Sequence, residues 1–137
     1  MSQKLWHDCH LVSVVIPTVG RETLHLCQNA LEKQTRVPNE VIIVRDLRRR
    51  GASWARNEGI RQAQGDLIAF LDDDCVPSEN WLEYLILTID KYDADGVGGT
   101  YQEVDPLLHA ARLRRKIPEI EQLDNLGLVG AGGECDV

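Results

Sequence analysis

"ARNEGIRQAQGDLIAFLDDD", Ala55–Asp74, decides the fold. Its first half belongs to a helix predicted over Ala52–Gln64, with Ser53 as N-cap. Ala52, Ala55, Gly59 and Ala63 give that helix a face of small residues, which lets it lie close against a sheet. "LIAFL", Leu67–Leu71, is an apolar run without polar alternation, the pattern of a strand buried on both faces. It stops in three carboxylates, Asp72, Asp73 and Asp74. Adjacent like charges raise one another's proton affinity unless something relieves them. In an extended backbone Asp72 and Asp74 share one side and Asp73 takes the other. Two carboxylates on one side suit a hard divalent ion such as Mg²⁺ or Mn²⁺. An acidic turn leading into the next helix, favoured by the helix dipole, explains the same residues about as well.

The same alternation extends outward. Val12–Ile16 reads as a strand stopped by Pro17, and Leu24, Cys27 and Leu31 mark one face of a helix. Glu40–Val44 is a second buried strand. Pro77 and Ser78 open a helix in which Trp81, Leu82, Leu85, Ile86 and Ile89 recur at helical spacing. Asp95–Tyr101 suggests a glycine-rich fourth strand, and Asp105-Pro106 begins a fourth helix ending before Pro118. The last stretch, "NLGLVGAGGECDV", gives no clear element. Alternating strands and helices, with strands apolar throughout, predict an α/β fold: an α/β/α sandwich around a mainly parallel sheet. Such sheets bind ligands at the carboxyl ends of their strands. Pro17-Thr18, Arg45-Asp46 and Asp72–Asp74 each follow a strand, so they are expected along one edge.

The 137 residues form a single domain, with 1–11 as an N-terminal extension. Fifteen Lys and Arg against 22 Asp and Glu leave a net charge of −7, which argues against nucleic acid as a partner. No apolar run is long enough for a transmembrane segment, and the start lacks signal-peptide features, so a cytoplasmic protein is expected. Cys9, Cys27, Cys75 and Cys135 show no CxxC pairing and are expected as free thiols. "HDCH", His7–His10, lacks a second ligand cluster and reads as an exposed or frayed terminus.

"VSVVIPTVGR", "EVIIV", "ARNEGIRQAQGDLIAFLDDD" and the following Pro77 and Trp81 resemble the nucleotide-diphospho-sugar glycosyltransferases of the GT-A fold, specifically family 2. The resemblance runs from about Val12 to Tyr101. It implies that Asp72–Asp74 are the DxD motif, with Asp72 and Asp74 on a Mn²⁺ or Mg²⁺ ion and Asp72 and Asp73 on the sugar nucleotide. It also assigns Pro17, Thr18, Arg21, Asp46 and Arg56 to the nucleotide. The family's usual DD-G-S is here "RDLRRRG", with Arg45 where the first acid is expected. Arg48–Arg50 read singly as a solvated turn. As a group beside an anionic ligand, one or two of them screen a diphosphate.

The implied reaction transfers a sugar from a nucleoside-diphosphate sugar to an acceptor hydroxyl on a saccharide, lipid or protein, with inversion. Residues 102–137 resemble the start of the acceptor-side half, left incomplete, and no residue in them is identifiable as the general base. Two other readings stay open: a non-catalytic nucleotide-binding or assembly module, and a nucleotidyltransferase, for which "PTVGRE" is a poor match. A homo-oligomeric state is also left open.

Overall fold

The computed structural model describes residues 9–103 and 130–135, with side chains described over 9–100. In chain order the elements are β1 (Val12–Thr18), α1 (Leu24–Glu32), β2 (Glu40–Arg45), α2 (Ala52–Gln62), β3 (Leu67–Phe70), β4 (Cys75–Pro77), α3 (Trp81–Tyr92), β5 (Gly99–Glu103) and β6 (Gly130–Cys135). The first three strands form a parallel sheet in the order β2-β1-β3. A second sheet has the order β4-β6-β5, with β6 antiparallel to β4 and parallel to β5.

The central strand β1 is buried along its whole length, which is why it carries no polar alternation. Val12, Val14 and Ile16 pack with Leu24, Cys27 and Leu31 of α1 and with Trp81, Leu82, Leu85 and Ile86 of α3. Val15 points to the opposite face and packs with Val44 and Ala55, so α2 covers that side. The sheet therefore lies between two helical layers, as its apolar strands require. A Cβ built on Gly59 would lie 2.2 Å from Val15 Cγ1, so the glycine brings α2 onto the sheet. Gln34 ties the layers at one corner: its Nε2 donates to Ser78 O (2.6 Å), and its Oε1 accepts from Leu82 N (3.0 Å).

Several expectations are corrected. Pro17 does not stop β1, which continues to Thr18. Val15 O accepts from Leu71 N on the β3 side, and Thr18 O accepts from Asp46 N on the β2 side. Pro17 therefore turns its missing N–H toward the β3 side, past the last β3 residue, where no ladder bond is lost. The cap of α2 is Gly51 at φ 112°, not Ser53, which lies inside the helix. The third helix begins at Trp81, because Cys75–Pro77 first form β4. β6 arises in the glycine-rich tail that showed no element, since a partner strand on each side supplies its hydrogen bonds. The expected fourth helix lies outside the described residues. Among the described residues no helix is long and apolar enough to cross a membrane.

Cys27 is a free thiol, but Cys75 is disulfide-bonded. The antiparallel pairing of β4 with β6 sets residue 75 opposite residue 135, a neighbour relation that their sequence separation conceals. His10 is tied down rather than frayed: its ring nitrogens meet Asp66 Oδ2 at 3.1 Å and Asp90 Oδ1 at 2.8 Å.

Candidate functional site

The carboxyl ends of β1, β2 and β3 open into one cleft of about 430 Å³. Pro17, Thr18 and Arg21 line it from the end of β1. Asp46 comes from the end of β2, Arg56 from the first turns of α2, and Asp72, Asp73 and Asp74 from the loop after β3. Every residue expected at the site is thus brought to one place by the parallel register. The wall also includes Val19, Gly51, Ala52 and Ala55, which were not anticipated, and Arg49, one of the three arginines expected as a group to screen a diphosphate. Arg49 sits at φ 52° in a tight turn closed by its N–H to Asp46 O, a conformation that a run of arginines does not announce. Arg45 is exposed and is not part of the wall. Arg50 lies over the Trp54 ring at 4.5 Å, and Trp81 is buried in the core, so neither tryptophan offers a free platform.

The three consecutive acids have three different settings. They lie in a turn, closed by Cys75 N–H donating to Asp72 O, rather than in extended backbone. Asp73 is 6% exposed and accepts a 2.6 Å hydrogen bond from Thr18 Oγ1. Thr18 Oγ1 in turn accepts from Gly20 N–H at 2.9 Å. Asp72 and Asp74 instead reach the lip, where Asp72 Oδ1 meets Arg56 Nη2 and Asp74 Oδ2 meets Arg21 Nη1, both at 2.8 Å. The split of Asp73 from its neighbours is the one expected, achieved by a turn. Beneath the loop, the Cys27 thiol points at Asp72 O and Cys75 O. Burial, reinforced by the three nearby carboxylates, pushes that thiol up to about 11, although a hydrogen bond from the Cys75 backbone opposes the shift.

Asp46 is 4% exposed. Its Oδ2 accepts from Gly51 N–H at 2.7 Å, while its Oδ1 has no hydrogen-bond partner among the described residues. Burial works to raise its pKa, but the backbone N–H groups of Arg50 and Gly51, with the Arg50 charge, outweigh it and hold the pKa below the ordinary aspartate value. A buried carboxylate oxygen without a donor is costly, so a ligand that brings a donor to the cleft relieves it.

An oxygen of Asp72, an oxygen of Asp74 and Cys75 Sγ lie within 4.8 Å of one another. A disulfide sulfur is not a thiolate, so Cys75 offers no anionic ligand. The two carboxylates remain, and a hard divalent ion that keeps waters and phosphate oxygens in its shell needs no more than that from the protein. The donor set fits Mg²⁺ or Mn²⁺.

A parallel sheet with an acidic cleft at the carboxyl ends of its strands defines a mixed α/β domain of the GT-A type. Over 69% of this chain and 22% of the other, the structure superposes on Staphylococcus aureus TarS with a TM-score of 0.59 at 23% identity, a likeness of fold. The chain belongs to glycosyl transferase family 2, whose model matches residues 44–130, more than half of its length. It is similar to glycosyltransferase AglE of Haloferax volcanii, with 32% identity covering 69% of this chain and 40% of AglE. It is also similar to glycosyltransferase GlyG of Streptococcus pneumoniae, with 36% identity covering 49% of this chain and 22% of GlyG. The chain therefore spans less than half the length of these relatives.

Proposed function

We propose that the chain carries the donor-binding half of a glycosyltransferase that moves a sugar from a nucleoside diphosphate to an acceptor hydroxyl with inversion. The observation that carries this reading is the convergence, in one cleft, of a carboxylate pair suited to a cation and a buried carboxylate oxygen that needs a donor. Membership of glycosyl transferase family 2 supports the sugar-transfer class.

The roles follow from chemistry. Asp46 Oδ1 accepts an N–H from the base; uracil, thymine and guanine each carry such a group on a ring nitrogen. Asp73, held by Thr18, presents its remaining acceptor capacity toward the ribose side of the ligand. Arg56 and the N-terminal end of α2, which bears partial positive charge, face the diphosphate. Asp72 and Asp74 hold Mn²⁺ or Mg²⁺. When bound, that ion supplies positive charge to the departing diphosphate, on which negative charge accumulates as the glycosidic bond breaks. A general base for the acceptor hydroxyl is not among the described residues that line the cleft in a role separate from donor binding.

Calorimetric titration with UDP, GDP, dTDP and CDP in the presence of Mn²⁺ tests the reading. Binding is expected with CDP weakest, since the cytosine ring nitrogen N3 is an acceptor facing a carboxylate. Asp74→Asn is expected to weaken binding. Equal affinity in Mn²⁺ and in EDTA would remove the cation from the site, and no binding by any of the four would remove the function.

A further inference from the structure

Both lip carboxylates of the cleft are already neutralised from within the chain. Arg21 stands in the turn after β1 and reaches across to the loop after β3, with Nη1 at 2.8 Å from Asp74 Oδ2 and Nε at 3.7 Å from Asp73 Oδ1. Arg56 does the same for Asp72 from α2. The two arginine contacts on Asp73 and Asp74 are unequal in consequence. Asp73 is buried and has Thr18 as a close partner, so it keeps a hydrogen bond without Arg21. Asp74 is three-quarters buried at its side chain, and Arg21 is its only ion pair among the described residues. The Arg21 side chain is 55% exposed, so little packing holds it in place. It occupies one oxygen of the Asp74 carboxylate, the group that a cation shared by Asp72 and Asp74 also needs. The unpartnered Asp46 oxygen in the same cleft independently marks it as built for a ligand.

We propose that Arg21 is a resident counter-cation: it neutralises Asp74 in the free protein, competes with the divalent ion for that carboxylate, and moves to the ligand's phosphates when the ion enters. The proposal rests on the donor-binding reading above and adds an exchange to it. No covalent bond changes. One ion pair, guanidinium on carboxylate, is replaced by two, metal on carboxylate and guanidinium on phosphate. Arginine suits the second role because its planar fork matches phosphate oxygens. The exchange keeps the acidic loop neutralised in both states, so the cleft does not depend on the ion for its shape.

The exchange predicts opposite signs for one substitution. Arg21→Gln removes the competitor, so Mn²⁺ alone binds more tightly, by roughly two- to fivefold, the scale of an exposed ion pair. The same variant loses the phosphate contact, so inorganic pyrophosphate with saturating Mn²⁺ binds more weakly, by roughly three- to tenfold. Arg21→Lys retains a charge and stays near wild type for Mn²⁺ alone. Arg61→Gln, in which the lost charge is paired with Glu58 on α2, serves as the control for net charge and leaves both affinities unchanged. Mn²⁺ binding is read by water-proton relaxation and pyrophosphate binding by calorimetry, with thermal melts verifying that each variant is folded. Unchanged or weaker Mn²⁺ binding by Arg21→Gln overturns the proposal, because Arg21 then orders the carboxylate rather than competing for it. An equal gain in Arg61→Gln also overturns it, as an effect of bulk charge. If wild type itself binds no Mn²⁺, the metal reading falls first. If wild type binds and Asp74→Asn does not, while Arg21→Gln shows no gain, the metal reading stands and the exchange alone fails.

Discussion

Thr18, the last residue of β1, and Asp73, on the loop that follows β3, are joined by a buried hydrogen bond of 2.6 Å from Oγ1 to Oδ2. It fixes the middle acid of the cluster inside the protein and leaves its two neighbours at the lip. Thr18→Val keeps the volume and removes the donor, so a buried carboxylate loses its close partner. Destabilisation of about 2 kcal/mol is expected in urea unfolding, against a small change for Thr18→Ser. If Thr18→Val is as stable as wild type, the bond does not organise the loop.

Gly59 sets the distance of α2 from the sheet. Alanine is ordinarily the better helix former by about 1 kcal/mol. Here its Cβ would collide with the buried, β-branched Val15, whose nearest Cγ is at 2.2 Å. Gly59→Ala is therefore expected to destabilise by about 1–3 kcal/mol in spite of its propensity. Adding Val15→Ala should restore part of the loss, a coupling that a double-mutant cycle measures.

His10 clamps the opposite edge of the sheet, between Asp66, just before β3, and Asp90 near the end of α3. Hydrogen bonds to Asp90 and then Asp66 raise its pKa above 6.5, although burial opposes them. Its contribution is thus complete below the unfolded value of 6.5 and is lost as pH rises through the higher folded value. Burial works to raise the Asp66 pKa, but the His10 hydrogen bond and the Leu11 N–H bring it below 3.8. That share is present above 3.8 and fades as pH falls through the lower folded value. Urea midpoints for wild type and His10→Gln should differ most near pH 5.5 and converge by pH 9. A gap that widens with pH would contradict the clamp.

Cys27 is fully buried under the acidic loop, with its thiol pushed up to about 11. The thiolate is the reactive form, so Cys27 is expected to resist iodoacetamide in the native protein at pH 8. Cys9, which is exposed, is the internal control and should alkylate. Peptide mass mapping separates the two, and rapid labelling of Cys27 would show that the loop opens.

Much of this protein is legible in one dimension. The apolar runs at Val12, Glu40 and Leu67 mark three strands, although only the central β1 is buried along its length, while β2 and β3 on either side of it are part-exposed rather than buried as expected. Leu24, Cys27 and Leu31 announce the buried face of α1 because that face repeats locally. Pro17, Thr18, Arg21, Asp46, Arg56 and the acids were all identifiable from their positions next to strand ends and from the family resemblance. Ser53 misled because a side-chain cap is a common solution, whereas here Gly51 starts α2 with its own N–H bound to Asp46. The β6 strand and the disulfide at Cys75 were hidden because both depend on pairing partners remote in sequence.

The sequence by itself determined the layered α/β plan and the edge on which the site lies. Hydrophobic period and strand-end chemistry are local, and parallel pairing puts all the strand ends together. Only the tertiary structure decided what each acid does. Asp73 is buried on Thr18, Asp74 and Asp72 are neutralised by Arg21 and Arg56, and Asp46 is left with an oxygen unpartnered. Burial and the approach of an arginine from another loop are properties of three-dimensional neighbours, and three identical letters in a row cannot carry them.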